Sequence, residues 1–292
     1  MVSQTETTAT VTLPDGRALS YLLAGADSGP LVVVLDGPCS RGLGRAVAPT
    51  GRELGIRLLI PDRPGAHGSS PRPGRRIADW PADHLALLDA LGVDSAGILA
   101  QSGGTPYGIA VAGAAPERTT GLALLGALAP LTDPAARREA SKQLRTGAFL
   151  SRRLPFVLRA GLGRAANKLP DSAIAQLPEH ERHFTDDPWI RDIHLRTSAE
   201  ILGNPDALID EIRLLAQPWG ITPPAAGVVP TALWTGELDT THPPSHARRV
   251  AALLGGERPV TVVPGAATFG LIDIFPDALR LAGNVEGTGA HQ

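Results

Sequence analysis

One cysteine, one methionine and eleven aromatic side chains (four Trp, two Tyr, five Phe) are all that this 292-residue chain has of those types. With Cys39 alone, no intrachain disulfide can form, and a thiolate zinc site has no ligands to draw on. Net charge is also small. The 27 basic and 29 acidic residues leave a formal −2, which with so few aromatics argues against a nucleic-acid partner. No run of about 18 apolar residues occurs. The opening MVSQTETTATVTLPDGR has no basic start, apolar core or cleavage site, so a cytoplasmic enzyme or binding protein is expected. Neither a metal-ligand cluster nor a G-x-G-x-x-G fingerprint after a strand is present, so no metal and no organic cofactor is expected. Lysine is nearly absent, two against 25 arginines, which is read as the codon usage of a GC-rich genome.

What is there describes a chain that folds. Hydrophobic residues make up 43% and charged residues 19%. Gly (33) and Pro (27) amount to about a fifth, below the level of a low-complexity chain. The length allows two domains of about 150 residues or one large α/β domain carrying an insertion.

From Thr8 to Leu23 polar and apolar residues alternate around Asp15-Gly16, a strong hairpin signal. LVVVLD then forms a continuous β-branched run of the kind buried on both faces of a parallel sheet. Similar runs recur at Arg57 to Ile60, Ala96 to Ala100, Leu122 to Leu125, Thr231 to Trp234 and Pro259 to Val263. Helical text separates most of them, at Leu43 to Leu54, Asp79 to Leu91, Pro106 to Ala112 and Pro244 to Leu254. This alternation predicts a mostly parallel central sheet flanked by helices on both faces.

Between residues 130 and 220 the alternation stops and only helix-like text remains, which reads as an inserted helical cap. The expected division is a core of residues 1–129 and 221–284, the cap, and a flexible tail 285–292. Asn204-Pro205 is expected to cap and start one helix. Leu150, Leu154, Val157, Leu158 and Leu162 share a face, with Pro155 a candidate break. Charge divides the cap: residues 137–168 hold nine basic side chains against one acidic, and residues 171–211 hold ten acidic against three basic. This reads first as two solvated faces, with an anionic-substrate gate or a lipid-facing surface as sharper alternatives. No membrane partner is expected, because the apolar face is needed to cover the site.

The chemistry concentrates in GILAQSGGTPYGIAVA, residues 97–112. A buried strand ends at Gln101. Ser102 follows between Ala100 at −2 and Gly103 and Gly104 at +1 and +2, and a helix begins. A strand-to-helix turn this sharp lifts a serine hydroxyl above the sheet and aims the Gly103 N–H and the helix N-terminus at a developing oxyanion.

With this elbow in hand, the chain resembles the α/β-hydrolase superfamily over roughly Thr8 to Gly283. LDGPCSR, residues 35–41, stands where that family has its His-Gly oxyanion loop. PDRPGAHGSSP resembles its D-R-P-G-x-G-x-S turn, with one extra residue before Gly68. WTGELD resembles the strand end that presents the catalytic acid, Asp239. The resemblance implies Ser102 as nucleophile and Asp239 as acid, and it puts Thr268, in VVPGAATFGLID, where the family has its histidine. Threonine is no general base near neutral pH, so the expected triad is incomplete.

Of the eight histidines, His67, His242 and His246 stay in contention. His242 is favoured as a displaced base, three residues past Asp239 at a helix start, with a purely local hydrogen-bonding role as the alternative. The oxyanion loop departs from the pattern too. Asp36 replaces the histidine before Gly37, Pro38 brings no N–H, and Cys39 is left as a possible donor or a buried filler. Asp36 is expected to be paired, with Arg41 or Arg63, or to hold the loop by hydrogen bonds. Gly103, Asp36, Gly37, Cys39 and Thr268 are thus the expected oxyanion and substrate-binding residues.

The expected function is hydrolysis of a small organic ester, lactone or amide through Ser102, Asp239 and His242. The alternatives are a non-hydrolytic lyase, isomerase or cyclase on the same scaffold, or a catalytically silent ligand-binding member. A small-molecule substrate is the expected partner, with a homodimer allowed.

Overall fold

The structure, a computed structural model, describes residues 6–169, 171–175, 177–256 and 258–285. The expected tail, apart from Val285, lies outside the described residues. Eight strands form one sheet: β1 (Thr7–Thr12), β2 (Ala18–Gly25), β3 (Leu31–Leu35), β4 (Arg57–Pro61), β5 (Ala96–Ser102), β6 (Thr119–Ala127), β7 (Thr231–Gly236) and β8 (Val260–Val263). Their order is β1-β2-β4-β3-β5-β6-β7-β8. β1 pairs antiparallel with β2, and β2 with β4, whereas every other pair is parallel. The hairpin turns at Gly16, whose φ of 83° suits glycine.

The strands are buried on both faces, which is why they read as continuous apolar runs. Along β3, Val33 points into one core layer and Val32 and Val34 into the other. Helices α1 (Gly42–Glu53) and α12 (Phe275–Gly283) cover the second layer through Leu43, Val47, Phe275 and Leu279. Helices α2 (Trp80–Ala90), α3 (Thr105–Ala114) and α11 (Pro244–Leu254) cover the first through Leu87, Tyr107 and Val250. The connection after β3 leads by α1 to β4, and the one after β5 leads by α3 to β6, on the opposite side. The crevice between the carboxyl ends of β3 and β5 is therefore a switch point where open α/β sheets bind ligands.

Between β6 and β7 the chain is helical, with no strand among the described residues: α4 (Pro134–Glu139), α5 (Lys142–Arg153), α6 (Pro155–Ala166), α7 (Asp171–Ala175), α8 (Glu179–Arg182), α9 (Pro188–Gly203) and α10 (Pro205–Leu215). Local capping explains several starts. The Asp133 carboxylate accepts the Ala135 N–H at 2.7 Å, the Ser141 hydroxyl that of Leu144 at 3.2 Å, and Asp187 that of Trp189 at 2.8 Å. Pro155 does divide the apolar stretch into two helices.

Asn204 departs from expectation. It stands at the N-cap of α10, but its side chain makes no cap bond. Its oxygen accepts the His67 N–H at 3.1 Å and its amide donates to the Glu200 carbonyl at 2.8 Å, so it ties the insertion to the loop after β4. Among the described residues, no helix is long and apolar enough to cross a membrane.

Candidate active site

Ser102 sits at the end of β5 with φ of 52°, a left-handed backbone that a non-glycine residue adopts only where its surroundings impose it. The imposition comes from packing. A Cβ on Gly104 would lie 1.9 Å from the Leu35 carbonyl oxygen, so β3 and the start of α3 approach as closely as they do only because that position is glycine. Gly104 N–H closes the turn on the Gln101 carbonyl at 2.7 Å, leaving the Gly103 N–H beside the serine.

The loop after β7 brings a histidine to Ser102. Ser102 Oγ lies 2.8 Å from His242 Nε2. The fold of that loop comes from Asp239, whose Oδ1 accepts the N–H groups of Thr241 and His242, each at 2.8 Å. These two bonds wind the chain tightly after β7 and return the imidazole over Ser102. The other carboxylate oxygen, Oδ2, stands 3.6 Å from His242 Nδ1, an ion-pair distance beyond normal hydrogen-bond length. Burial pushes the Asp239 carboxyl up, but the His242 ring and the N–H groups of residues 241 and 242 outweigh it and hold the pKa below the usual carboxylate range. His242 thus combines both readings of the sequence: its backbone bonds locally while its ring reaches the serine.

Asp36 is spent on its own loop. Its Oδ1 accepts the Gly37 N–H at 2.6 Å, and its Oδ2 accepts the Ser40 hydroxyl at 2.5 Å and the Leu43 N–H at 2.8 Å. Neither arginine pairs with it as an ion. Arg41 binds Asp62, and Arg63 donates instead to the carbonyls of Asp36 (3.1 Å) and Gly37 (2.7 Å). Because Gly37 N–H is taken and Pro38 has none, the loop brings neither of those N–H groups to an oxyanion.

Cys39 does not line the cavity. It is buried against Ala66, Ala207 and Leu208, with φ of 55°. Burial pushes its thiol up to about 12, with the Glu211 carboxylate adding to the effect. Iodoacetamide at pH 8 is therefore expected to leave Cys39 unmodified in the native protein and to alkylate it in urea, which intact mass spectrometry reads directly.

Thr268 is exposed and forms part of the cavity wall beside Phe269. Of the other candidate histidines, His246 is fully buried, where Nε2 lies 2.9 Å from the Ala136 carbonyl oxygen, and His67 lies outside the cavity wall near Asp62.

Two features went unseen in the sequence. Glu181 of α8 is buried, and its Oε1 accepts the Phe269 N–H at 2.7 Å, which fixes the turn beside Thr268. Burial raises its pKa, and the Asp239 charge contributes. Glu211 of α10 is buried with two guanidiniums. It accepts from Arg63 Nε at 2.9 Å, from Arg75 and from the Tyr107 hydroxyl at 3.0 Å, and Arg63 also lies over the Tyr107 ring. Burial raises the Glu211 pKa, but Arg63 and Arg75 outweigh it and the net shift is downward. Through Arg63, α10 is thus coupled to the carbonyls of the oxyanion loop.

A cavity of about 290 Å3 opens over Ser102, walled by Leu43, Trp189, Ile193, Ile201, Phe269 and Phe275 among others. Among the described residues lining it, the carboxylates are Asp36 and Asp239, and neither Lys nor Arg takes part.

The family described as alpha/beta hydrolase fold matches residues 30–271, and the chain belongs to it. The hydrolase YcgS of Bacillus subtilis (strain 168), described as uncharacterized, is 32% identical over 116 residues, which is 39% of this chain and 39% of that protein. A thermophilic esterase from Thermogutta terrifontis superposes with a TM-score of 0.65 at 20% identity, covering 94% of this chain and 97% of that one. The enol-lactonase from Burkholderia xenovorans LB400 gives 0.61 at 19%, covering 93% and 98%. At these identities the solved structures are similar in fold.

Proposed function

We propose that this protein hydrolyses a small, neutral carboxylic ester or lactone through a covalent acyl-serine. The observation that carries the reading is the 2.8 Å approach of His242 Nε2 to Ser102 Oγ at the floor of an apolar cavity. Ser102 Oγ attacks the carbonyl carbon as its proton passes to Nε2, and the Gly103 N–H and the α3 N-terminus stabilise the oxyanion. On collapse, the C–O bond to the leaving group breaks and the departing oxygen takes the proton from Nε2. Water then attacks the acyl-serine, gives its proton to Nε2, and Ser102 is released with the acid. Asp239 orients the ring and offsets the imidazolium charge in both halves.

An esterase and an enol-lactonase share the fold, which agrees with this class. The apolar wall favours uncharged substrates over the anionic ones that the charge of the insertion suggested. The insertion acts as a cap, since Trp189, Ile193 and Ile201 of α9 close the cavity. The wall residues Ala46, Trp189, Ile272 and Phe275 also border a neighbouring recess at Pro49 and Thr50.

The test is a series of p-nitrophenyl esters. Acetate to octanoate are expected to turn over, and the anionic succinate monoester at least about tenfold less well in kcat/KM, since its carboxylate would be desolvated without a partner. No hydrolysis of any neutral ester or lactone above the rate of Ser102→Ala would overturn the proposal.

One observation favours a second reading. The Gly37 and Pro38 positions bring no free N–H to an oxyanion, which suits a lyase, isomerase or cyclase that builds no tetrahedral oxyanion. Absence of solvent 18O from the product of the native substrate would select it.

A further inference from the structure

The insertion carries a surface that the cavity does not use. Phe149, Leu154, Phe156 and Val157 are exposed to 60%, 38%, 69% and 43%, and all four lie at the junction of α5 and α6. Leu150, Leu158 and Leu162 are only partly exposed. The apolar residues of this segment therefore divide, and the larger aromatic ones face water.

Arginines surround them. Arg145, Phe149, Arg152 and Arg153 follow helical spacing along one side of α5, and with Arg137 of α4 they line a second cavity of about 320 Å3. Arg145 donates to the Arg138 carbonyl at 2.8 Å and Arg152 to that of Ala216 at 3.5 Å. Among the described residues, none of these four arginines is paired with a carboxylate. The segment 137–168 as a whole holds nine basic side chains against Glu139. Four guanidiniums converging without counter-charge leave a concentrated positive potential beside exposed phenyl rings.

We infer that the α5–α6 face docks onto an anionic phospholipid bilayer. Lipid phosphates take the arginine-lined cavity, and Phe149, Leu154, Phe156 and Val157 enter the acyl boundary. A bilayer meets both demands of the surface, negative charge and an apolar interior. A second copy meets neither arrangement well. Basic face against basic face would oppose like charges, and the acidic segment 171–211 presents no large exposed apolar side chain among the described residues to receive the phenyl rings. This inference does not rest on the ester chemistry.

Co-sedimentation of the intact protein with vesicles tests it. Phosphatidylglycerol/phosphatidylcholine vesicles are expected to bind at least about tenfold more tightly than phosphatidylcholine alone, and 0.5 M salt to reverse the difference. Phe149→Ser/Phe156→Ser and Arg152→Glu/Arg153→Glu are each expected to cut that partition about tenfold. All four positions are exposed, so an unchanged Tm and unchanged hydrolysis of a soluble ester should verify that the variants are folded. Equal partition onto both vesicles, or undiminished partition of both variants, overturns the inference. So does binding of inorganic phosphate without vesicle binding, or a dimer that Phe149→Ser/Phe156→Ser dissociates.

Discussion

Replacing His242 by alanine is expected to lower kcat for a neutral ester by about 10^3-fold, within the 10^2 to 10^4 that a positioned general base supplies. The same factor should appear in kcat/KM, because the proton transfer is made only in the transition state and KM should stay within about threefold. Such a loss corresponds to about 4 kcal/mol of transition-state stabilisation. The contrast is with Thr268→Ala, where the family's histidine would stand: its side chain only lines the wall, so kcat should hold within about threefold. A large loss at Thr268 with a small one at His242 would reverse the assignment. The ground-state gap of 3.6 Å between His242 Nδ1 and Asp239 Oδ2 leaves room for tightening when the imidazolium forms. Asp239→Asn should therefore also reduce kcat, and it weakens the loop that carries His242, since Oδ1 holds two of its N–H groups.

Glu211→Ala is expected to be the most damaging substitution for the fold. It leaves the buried guanidiniums of Arg63 and Arg75 without their carboxylate, a change that costs about 3–5 kcal/mol when one partner of a buried ion pair is removed. Against a total stability of about 5–15 kcal/mol that is a large fraction, and a fall in Tm of about 10 °C should follow. Activity should fall further than stability alone explains, because Arg63 also binds the carbonyls of Asp36 and Gly37. Differential scanning calorimetry and assays well below the variant's Tm separate the two effects. Double replacement by Arg63→Met and Glu211→Met should cost less stability than Glu211→Ala, since it leaves fewer charges unpaired. A Glu211→Ala protein as stable as the parent would show that the network contributes nothing to stability.

Much of the fold was legible because a doubly covered sheet writes itself as separate apolar runs, each bounded by Gly, Pro or Asp. The hairpin at Asp15-Gly16, the parallel strands and the elbow at Ser102 all carry such local signals. Helix α12 is less legible, although Phe275, Ala278, Leu279 and Ala282 recur at helical spacing and are among its buried positions. Its nine residues and its start beside Pro276 make a weak pattern until the strands supply a face to cover.

The site was legible where chemistry is local. His242 was within reach because it follows Asp239 by three residues, and the two groups can meet across one turn. Asp36 and Asn204 are less legible for the opposite reason: a carboxylate or amide has several neighbours, and only the folded loop selects between the two roles open to Asp36 and draws the Asn204 side chain away from its helix cap. Asp36 chose Gly37, Ser40 and Leu43 over either arginine. Glu211 gave no signal, since its partner Arg63 lies 148 positions away on another element. A helix of spacing ALIDEIRLL does not say that its Glu faces inward.

In the proposed mechanism His242 activates Ser102 from a position the family does not ordinarily use. Labelling with a fluorophosphonate, which reacts with activated serines, followed by peptide mass spectrometry, tests this most directly. Modification of Ser102 is expected in the parent protein and in Thr268→Ala, with a loss of labelling rate of about 10^3-fold in His242→Ala. An unlabelled Ser102 in the parent, or a His242→Ala protein that labels at the parent's rate, would contradict it.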